Sequence, residues 1–165
     1  MLRHHYGSKE ALRETCDSHV LEILRSVNAR LLHNPSDAAA TRQELKPFQR
    51  YLARALVDGS PTVGPIFDEM VTMTEEWIVR ADGVRSDPPA VSRRIRAAVV
   101  TAMAAGIPLL HEHVSRALGT DMFAPVGDRM LALALLDIYS HRMISEDAAS
   151  SAEAGFATSH SQRRP

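Results

Sequence analysis

Leu12, Cys16, Val20, Ile23, Val27 and Leu31 follow one another at intervals of three and four residues, which sets them all on one face of an α-helix. The same periodicity recurs down most of the chain and leaves little room for any other element. Ser8 is placed to cap the first helix, and Asn34 with Pro35 stops it. A second helical stretch covers Asp37 to Val57, striped by Phe48, Tyr51, Leu52, Ala55 and Leu56, with Pro47 as a break or a fresh first-turn position. A third runs from about Val63 to Ala81 with Ile66, Phe67, Met70, Met73, Thr74, Trp77 and Ile78 inward, and Asp82 to Pro89 forms a loop. The fourth reaches from near Pro89 to about Leu118 along Ile95, Ala98, Val99, Ala102, Met103, Gly106, Leu110 and Val114. Gly106 to Pro108 should kink it and Gly119 should close it. The fifth spans Pro125 to about Ile144. After Ser145 the chain offers little to bury, so 145–165 reads as a disordered tail.

Strand signals are nearly absent, because no useful run alternates apolar with polar residues. The fold class expected is therefore all-α. At 165 residues the chain can build one real core, and 45% hydrophobic with 24% charged residues is close to globular usage. Formal net charge is −1, so no overall basic field points to nucleic acid, and any DNA contact must come from a local patch. Cys16 is the one cysteine and cannot form an intramolecular disulfide, as suits a reducing cytoplasm. Met1 to His5 lacks the pattern of a signal peptide, and the longest uncharged stretch, Ala97 to Leu110, is too short to span a bilayer. The expectation is a soluble cytoplasmic protein with no membrane partner.

Two features carry more specific information. The first is Leu2-Arg3-His4-His5-Tyr6-Gly7-Ser8-Lys9-Glu10-Ala11-Leu12, which reads as a helix end, a tight glycine turn and a Ser-capped helix with an acidic first turn. Arg3, His4, His5, Tyr6 and Lys9 form a short donor-rich surface suited to phosphate contacts beside a helix N-terminus. Composition alone would leave it a solvated helix end. The order His4-His5-Tyr6-Gly7-Ser8-Lys9-Glu10, with Leu12 behind it, closely resembles the junction in TetR-family transcriptional regulators between the recognition helix and the ligand-binding domain. The segments Tyr51 to Gly59 and His111 to Gly119 look like those of actinobacterial members.

The resemblance implies that Tyr6 and Lys9 grip DNA phosphates while His4 and His5 lie at the backbone or groove edge. It also implies a TetR-like C-terminal ligand-binding and dimerisation bundle: 1–7 as the recognition-helix remnant, 8–144 as the effector and dimer domain. TetR-type proteins carry two helices and most of a third before this junction, whereas Met1 falls on the recognition helix itself. A recognition helix needs the preceding helices to brace it in the major groove. The expectation is impaired operator binding through a truncated gene or a misassigned start, with operator DNA as a partner only if those helices are present.

The second feature is Met130-Leu131-Ala132-Leu133-Ala134-Leu135-Leu136, which has no polar face. One side against its own core leaves another apolar side, which a homodimer through a four-helix bundle would cover. Ala102, Gly106, Met130, Leu131, Leu133, Leu135 and Ile138 are the expected interface. A helix buried inside one subunit is the simpler alternative.

Tyr51, Phe67, Met70, Met73, Trp77, Met103, Leu110 and His111 are candidates to line a pocket for a small hydrophobic effector, as the corresponding TetR helices do, although such side chains also serve as plain core. Neither a metal nor a cofactor is expected. His111 and His113 project about 200° apart on a helix, so they cannot share one ion. Asp137 and His141 read as a surface pair one turn apart. With no nucleophile elbow, phosphate loop or paired cysteines, an enzyme is not expected. The leading expectation is a ligand-responsive regulator. The alternative is a DNA-free helical protein of the same lineage that binds a small molecule or heterodimerises with full-length regulators.

Overall fold

The computed structural model describes residues 8–57 and 63–161, and among them every regular element is helical. We number the α-helices α1 (Lys9–His33), α2 (Ala38–Val57), α3 (Val63–Asp82), α4 (Arg93–Leu109), α5 (His111–Leu118), α6 (Pro125–Ser140) and α7 (Glu146–Ser161), with a 3-10 turn at Pro35–Asp37 between the first two. The all-α class is therefore shown. The chain divides into two compact units, one ending at His111 and the next beginning at Glu112. That division falls inside the 8–144 stretch that reads as one domain in sequence.

In the first unit, α1 starts where Ser8 accepts a hydrogen bond from the Ala11 amide at 3.0 Å, with Glu10 in its first turn and Arg30 and His33 in its last. Both ends thus carry the charge that the helix dipole favours. Asn34 ends the helix as its side chain turns to accept from the Ser36 amide. Helix α2 then runs unbroken through Pro47, where a break or restart was expected. One missing amide is tolerated because both halves are held by burial: Thr41 before the proline, Ala53 and Ala55 after it.

The core of this unit gathers Val20 and Val27 of α1, Ala53 and Ala55 of α2, Ile66 and Val71 of α3, and Ala97 of α4. Helix α3 packs chiefly on α4, and α1 lies against α2 and α3. The face of α4 that packs is its small one, Ala97 and Thr101, with the Thr101 hydroxyl 2.9 Å from that of Thr74. The larger apolar residues of the α4 stripe lie elsewhere: Ile95, Val99 and Met103 are each more than half exposed. Small residues let two backbones approach closely, and the bulky row on the far side of α4 is left uncovered by the described residues of this unit. The helix also starts at Arg93, later than Pro89, because Ser92 provides the cap by accepting from the Ile95 amide.

The long fourth helix expected from sequence is two, broken at Leu110 just after Pro108. In the second unit, Gly119 adopts the left-handed conformation (φ +71°) that closes α5, as a C-terminal glycine should. The turn beyond it tucks Met122 out of solvent, its amide donating to Ser115 Oγ at 3.0 Å. Pro125 opens α6, which stops at Ser140 and not near Ile144.

The segment beyond Ser145, which the sequence presents as a disordered tail, is placed as a helix over Glu146–Ser161. Ser145 Oγ caps it by accepting from the Ala148 amide, Glu146 and Asp147 sit in its first turn, and its alanines favour helix without burial. No single helix among the described residues is long and apolar enough to cross a membrane.

Candidate functional site

Two depressions in the first unit bring sequence-distant side chains together. The larger, about 590 Å³, is a groove between α1 and α3. Ala29 and Leu32 from α1 and Met73 from α3 give it an apolar floor. Its rim is a row of polar links between the two helices. Arg25 Nε donates to Glu69 Oε1 at 2.7 Å, and Asn28 Nδ2 donates to Glu76 Oε2 at 2.7 Å. Trp77 Nε1 donates to Asn28 Oδ1 at 2.7 Å, and Arg80 reaches the Leu32 carbonyl while standing 5.9 Å from the Trp77 ring. The hydrogen bond from Arg25 holds the Glu69 carboxyl below its ordinary range, and Glu69 in turn raises the Arg25 guanidinium.

The smaller, about 280 Å³, is a cleft between the start of α1 and the second half of α2. Leu12, Cys16, Tyr51 and Ala55 wall it, and Lys9, Arg13 and Arg54 border it. Beside it the Tyr51 hydroxyl donates to Asp17 Oδ1 at 2.6 Å. Asp17 is buried at 4% exposure, and its Oδ2 has no hydrogen-bond partner. Burial first and the hydrogen bond to Asp17 second push the Tyr51 phenol well above its ordinary value.

The expected pocket residues do not converge. Met73 lines the larger groove and Tyr51 the smaller cleft. Trp77 sits at the groove's edge, 37% exposed, tied to Asn28. Phe67 and Met70 are half-buried on α3, while Met103 and Leu110 face solvent, and neither depression includes any of these four or His111. The groove-lining residues that sequence missed, Arg25, Asn28, Glu69 and Glu76, carry no motif. Their one signal is an acidic pair seven apart on α3 facing a polar α1.

Of the phosphate-contact residues, Lys9 lies in the first turn of α1 and borders the cleft, whereas His4, His5 and Tyr6 lie outside the described residues. Of the interface residues, Ala102 is exposed and Gly106 half-buried on α4. On α6, Met130, Leu133 and Ile138 are 41%, 55% and 42% exposed, with Leu131 and Leu135 half-buried. Among the described residues no three His, Cys, Asp or Glu side chains gather as a metal site requires. Asp137 and His141 do meet at the surface, 3.2 Å apart.

The comparison that decides the lineage spans nearly the whole chain. Over 154 residues the sequence is 30% identical to the HTH-type transcriptional regulatory protein RaaS of Mycobacterium tuberculosis (strain ATCC 25618 / H37Rv), covering 88% of this chain and 71% of the relative. The chain belongs to the HTH-type transcriptional regulators. No family model matches it, and no solved structure does. Both depressions join α1, the helix that follows the donor-rich segment, to other helices of its unit.

Proposed function

We propose that the protein is a TetR-like, effector-responsive transcriptional regulator that works as a cytoplasmic homodimer. The observation that carries this is the similarity to an HTH-type regulator across 88% of the chain. The described helices form the sensing and dimerising part, without enzymatic chemistry. DNA contact comes from the N-terminal side of α1, where His4, His5, Tyr6 and Lys9 offer donors to phosphates. Dimerisation is supported by apolar rows that stay exposed among the described residues of their own units: Ile95, Val99 and Met103 on α4, and Val126, Met130 and Leu133 on α6. A small effector acts by shifting α1 against α2 and α3, and so resetting the spacing of two DNA-reading ends.

The test is selection of duplex DNA by the purified protein from a random pool, followed by band shifts on the selected duplex. A common sequence, bound by two chains with strong salt dependence, is expected where the helices that brace the recognition helix are part of the protein tested. A folded dimer that recovers no common sequence would overturn DNA reading and favour a DNA-free binding protein of the same lineage.

A further inference from the structure

The apolar stripe of α1 looks the same one turn further on. Ile23 and Leu31 stand four residues either side of the buried Val27, and Cys16 and Leu24 four either side of the buried Val20. Hydrophobic attraction is non-directional, so this stripe does not fix where α1 stands along α3; a shift of one turn, about 5.4 Å, would again present it with apolar side chains. What tells one register from the next is the row of polar links across the groove. Arg25 pairs with Glu69, Asn28 with Glu76 and Trp77, and the Leu32 carbonyl with Arg80.

Asn28 is the most selective of these. Its amide carries a donor and an acceptor side by side, and α3 presents the matching pair on successive residues, Glu76 Oε2 and the Trp77 indole N–H, each at 2.7 Å. Moving α1 by four residues would bring Leu24 or Leu32 to that place and Leu21 or Ala29 to Glu69. Moving it by three would bring Leu31 to the indole, or else Arg25, which has no acceptor, together with Glu22 against Glu69. Each alternative leaves a polar group of α3 facing an apolar, donor-only or like-charged neighbour.

We infer that Asn28 is a positioning residue that fixes the register of α1 on α3. The bond from Tyr51 to Asp17 ties α1 to α2, so those two helices are set together against α3 and α4, which Asp82 and Arg96 clamp to each other. The donor-rich segment leads into α1, so the register held at Asn28 also sets where that segment lies. Only this last consequence rests on the regulator proposed above.

Trp77 makes the test local, because it is the chain's one tryptophan. In the isotope-labelled full chain it should give one indole N–H signal, with nuclear Overhauser contacts to the Asn28 side chain. Asn28→Leu removes both bonds and should move the balance toward a neighbouring register about tenfold or more. The expected sign is a second indole signal, or a single one whose contacts reach one turn along α1, at unchanged helix content. Asn28→Asp keeps an acceptor for Trp77 but sets a carboxylate against Glu76, and should have the same effect. Adding Glu76→Gln to Asn28→Asp exchanges donor and acceptor between the helices and should restore the wild-type signal and contacts. Either single variant, folded and with the wild-type signal and contacts, would overturn the inference. So would loss of helix content in both, since Asn28 would then support the fold and not the register. Neither DNA nor an effector enters the measurement, so its failure leaves the regulator standing, and a failed DNA selection leaves the register standing.

Discussion

Arg96 grips Asp82 with both arms of its guanidinium, Nη1 to Oδ1 and Nη2 to Oδ2, each at 2.7 Å. Asp82 is the last residue of α3, where the helix dipole disfavours a carboxylate, and Arg96 lies in the first turn of α4. The pair therefore staples the two helices that pack most closely, across the loop that joins them. Arg93 adds a second cation 3.7 Å from Asp82 Oδ2.

Stability should respond to this clamp in a pH-dependent way. The hydrogen bond from Arg96 holds the Asp82 carboxyl below its ordinary value of 3.8. A carboxylate depressed in the native state contributes stability that is full above the unfolded value and is lost as pH falls through the native one. Asp82→Asn should thus lower the urea midpoint at neutral pH. The gap from wild type should close only as pH drops below 3.8, which melts taken from neutral to strongly acid pH will show.

Tyr51 and Asp17 form the buried counterpart. Tyr51→Phe removes the donor to a carboxylate already short of one partner, so the loss should be about 1–3 kcal/mol of unfolding free energy. In a double-mutant cycle with Asp17→Asn the two changes should be strongly non-additive. The alkaline limb follows from the raised phenol. A native value above the unfolded one contributes stability that is present below the ordinary value of 10.0 and is lost as pH rises toward the native one. Wild type should therefore lose stability above that pH more steeply than Tyr51→Phe.

What the sequence made legible was whatever is decided within one turn of helix. Ser8, Asn34, Pro35, Gly119 and Pro125 each act on their immediate neighbours, and each bounds an element where expected. Periodicity located α1 to α3 for the same reason. It could not say which face of α4 is covered, because Ala97 and Thr101 are chosen by close approach to α3 and not by hydrophobicity. Nor could it find the groove, whose rim pairs Arg25 with Glu69 across 44 positions of sequence. Met73 and Tyr51, whose residue types suit one pocket equally well, line different depressions.

Gly127 should be intolerant of even one added methyl. Helix propensity favours alanine over glycine by up to about 1 kcal/mol, so α6 should gain from the change in isolation. Here a Cβ would overlap the Asp121 carbonyl oxygen and lie 2.8 Å from Met122 Cα, both backbone atoms of the turn that folds under the helix. Overpacking against backbone costs about 1–3 kcal/mol, and the clash should win. Gly127→Ala should lower the melting temperature, and the Met122 amide should exchange faster as its bond to Ser115 loosens.

The proposed dimer makes the last prediction, and exposure is what makes it clean. Leu133 and Val99 are 55% and 54% exposed, so a charge at either position strains no packing within its own unit and should leave helix content and melting cooperativity intact. In a dimer the same side chains are covered, and two symmetry-related glutamates would be brought into a dry, like-charged contact. Desolvating an unpaired carboxylate costs several kcal/mol, enough to empty a micromolar dimer. Light scattering on a sizing column should give twice 18.2 kDa for wild type and 18.2 kDa for Leu133→Glu. Val99→Glu reports on the α4 row separately. If it dissociates the protein with Leu133→Glu, both rows belong to one interface. If it leaves the dimer intact, α6 alone holds the two chains together and the α4 row serves something else.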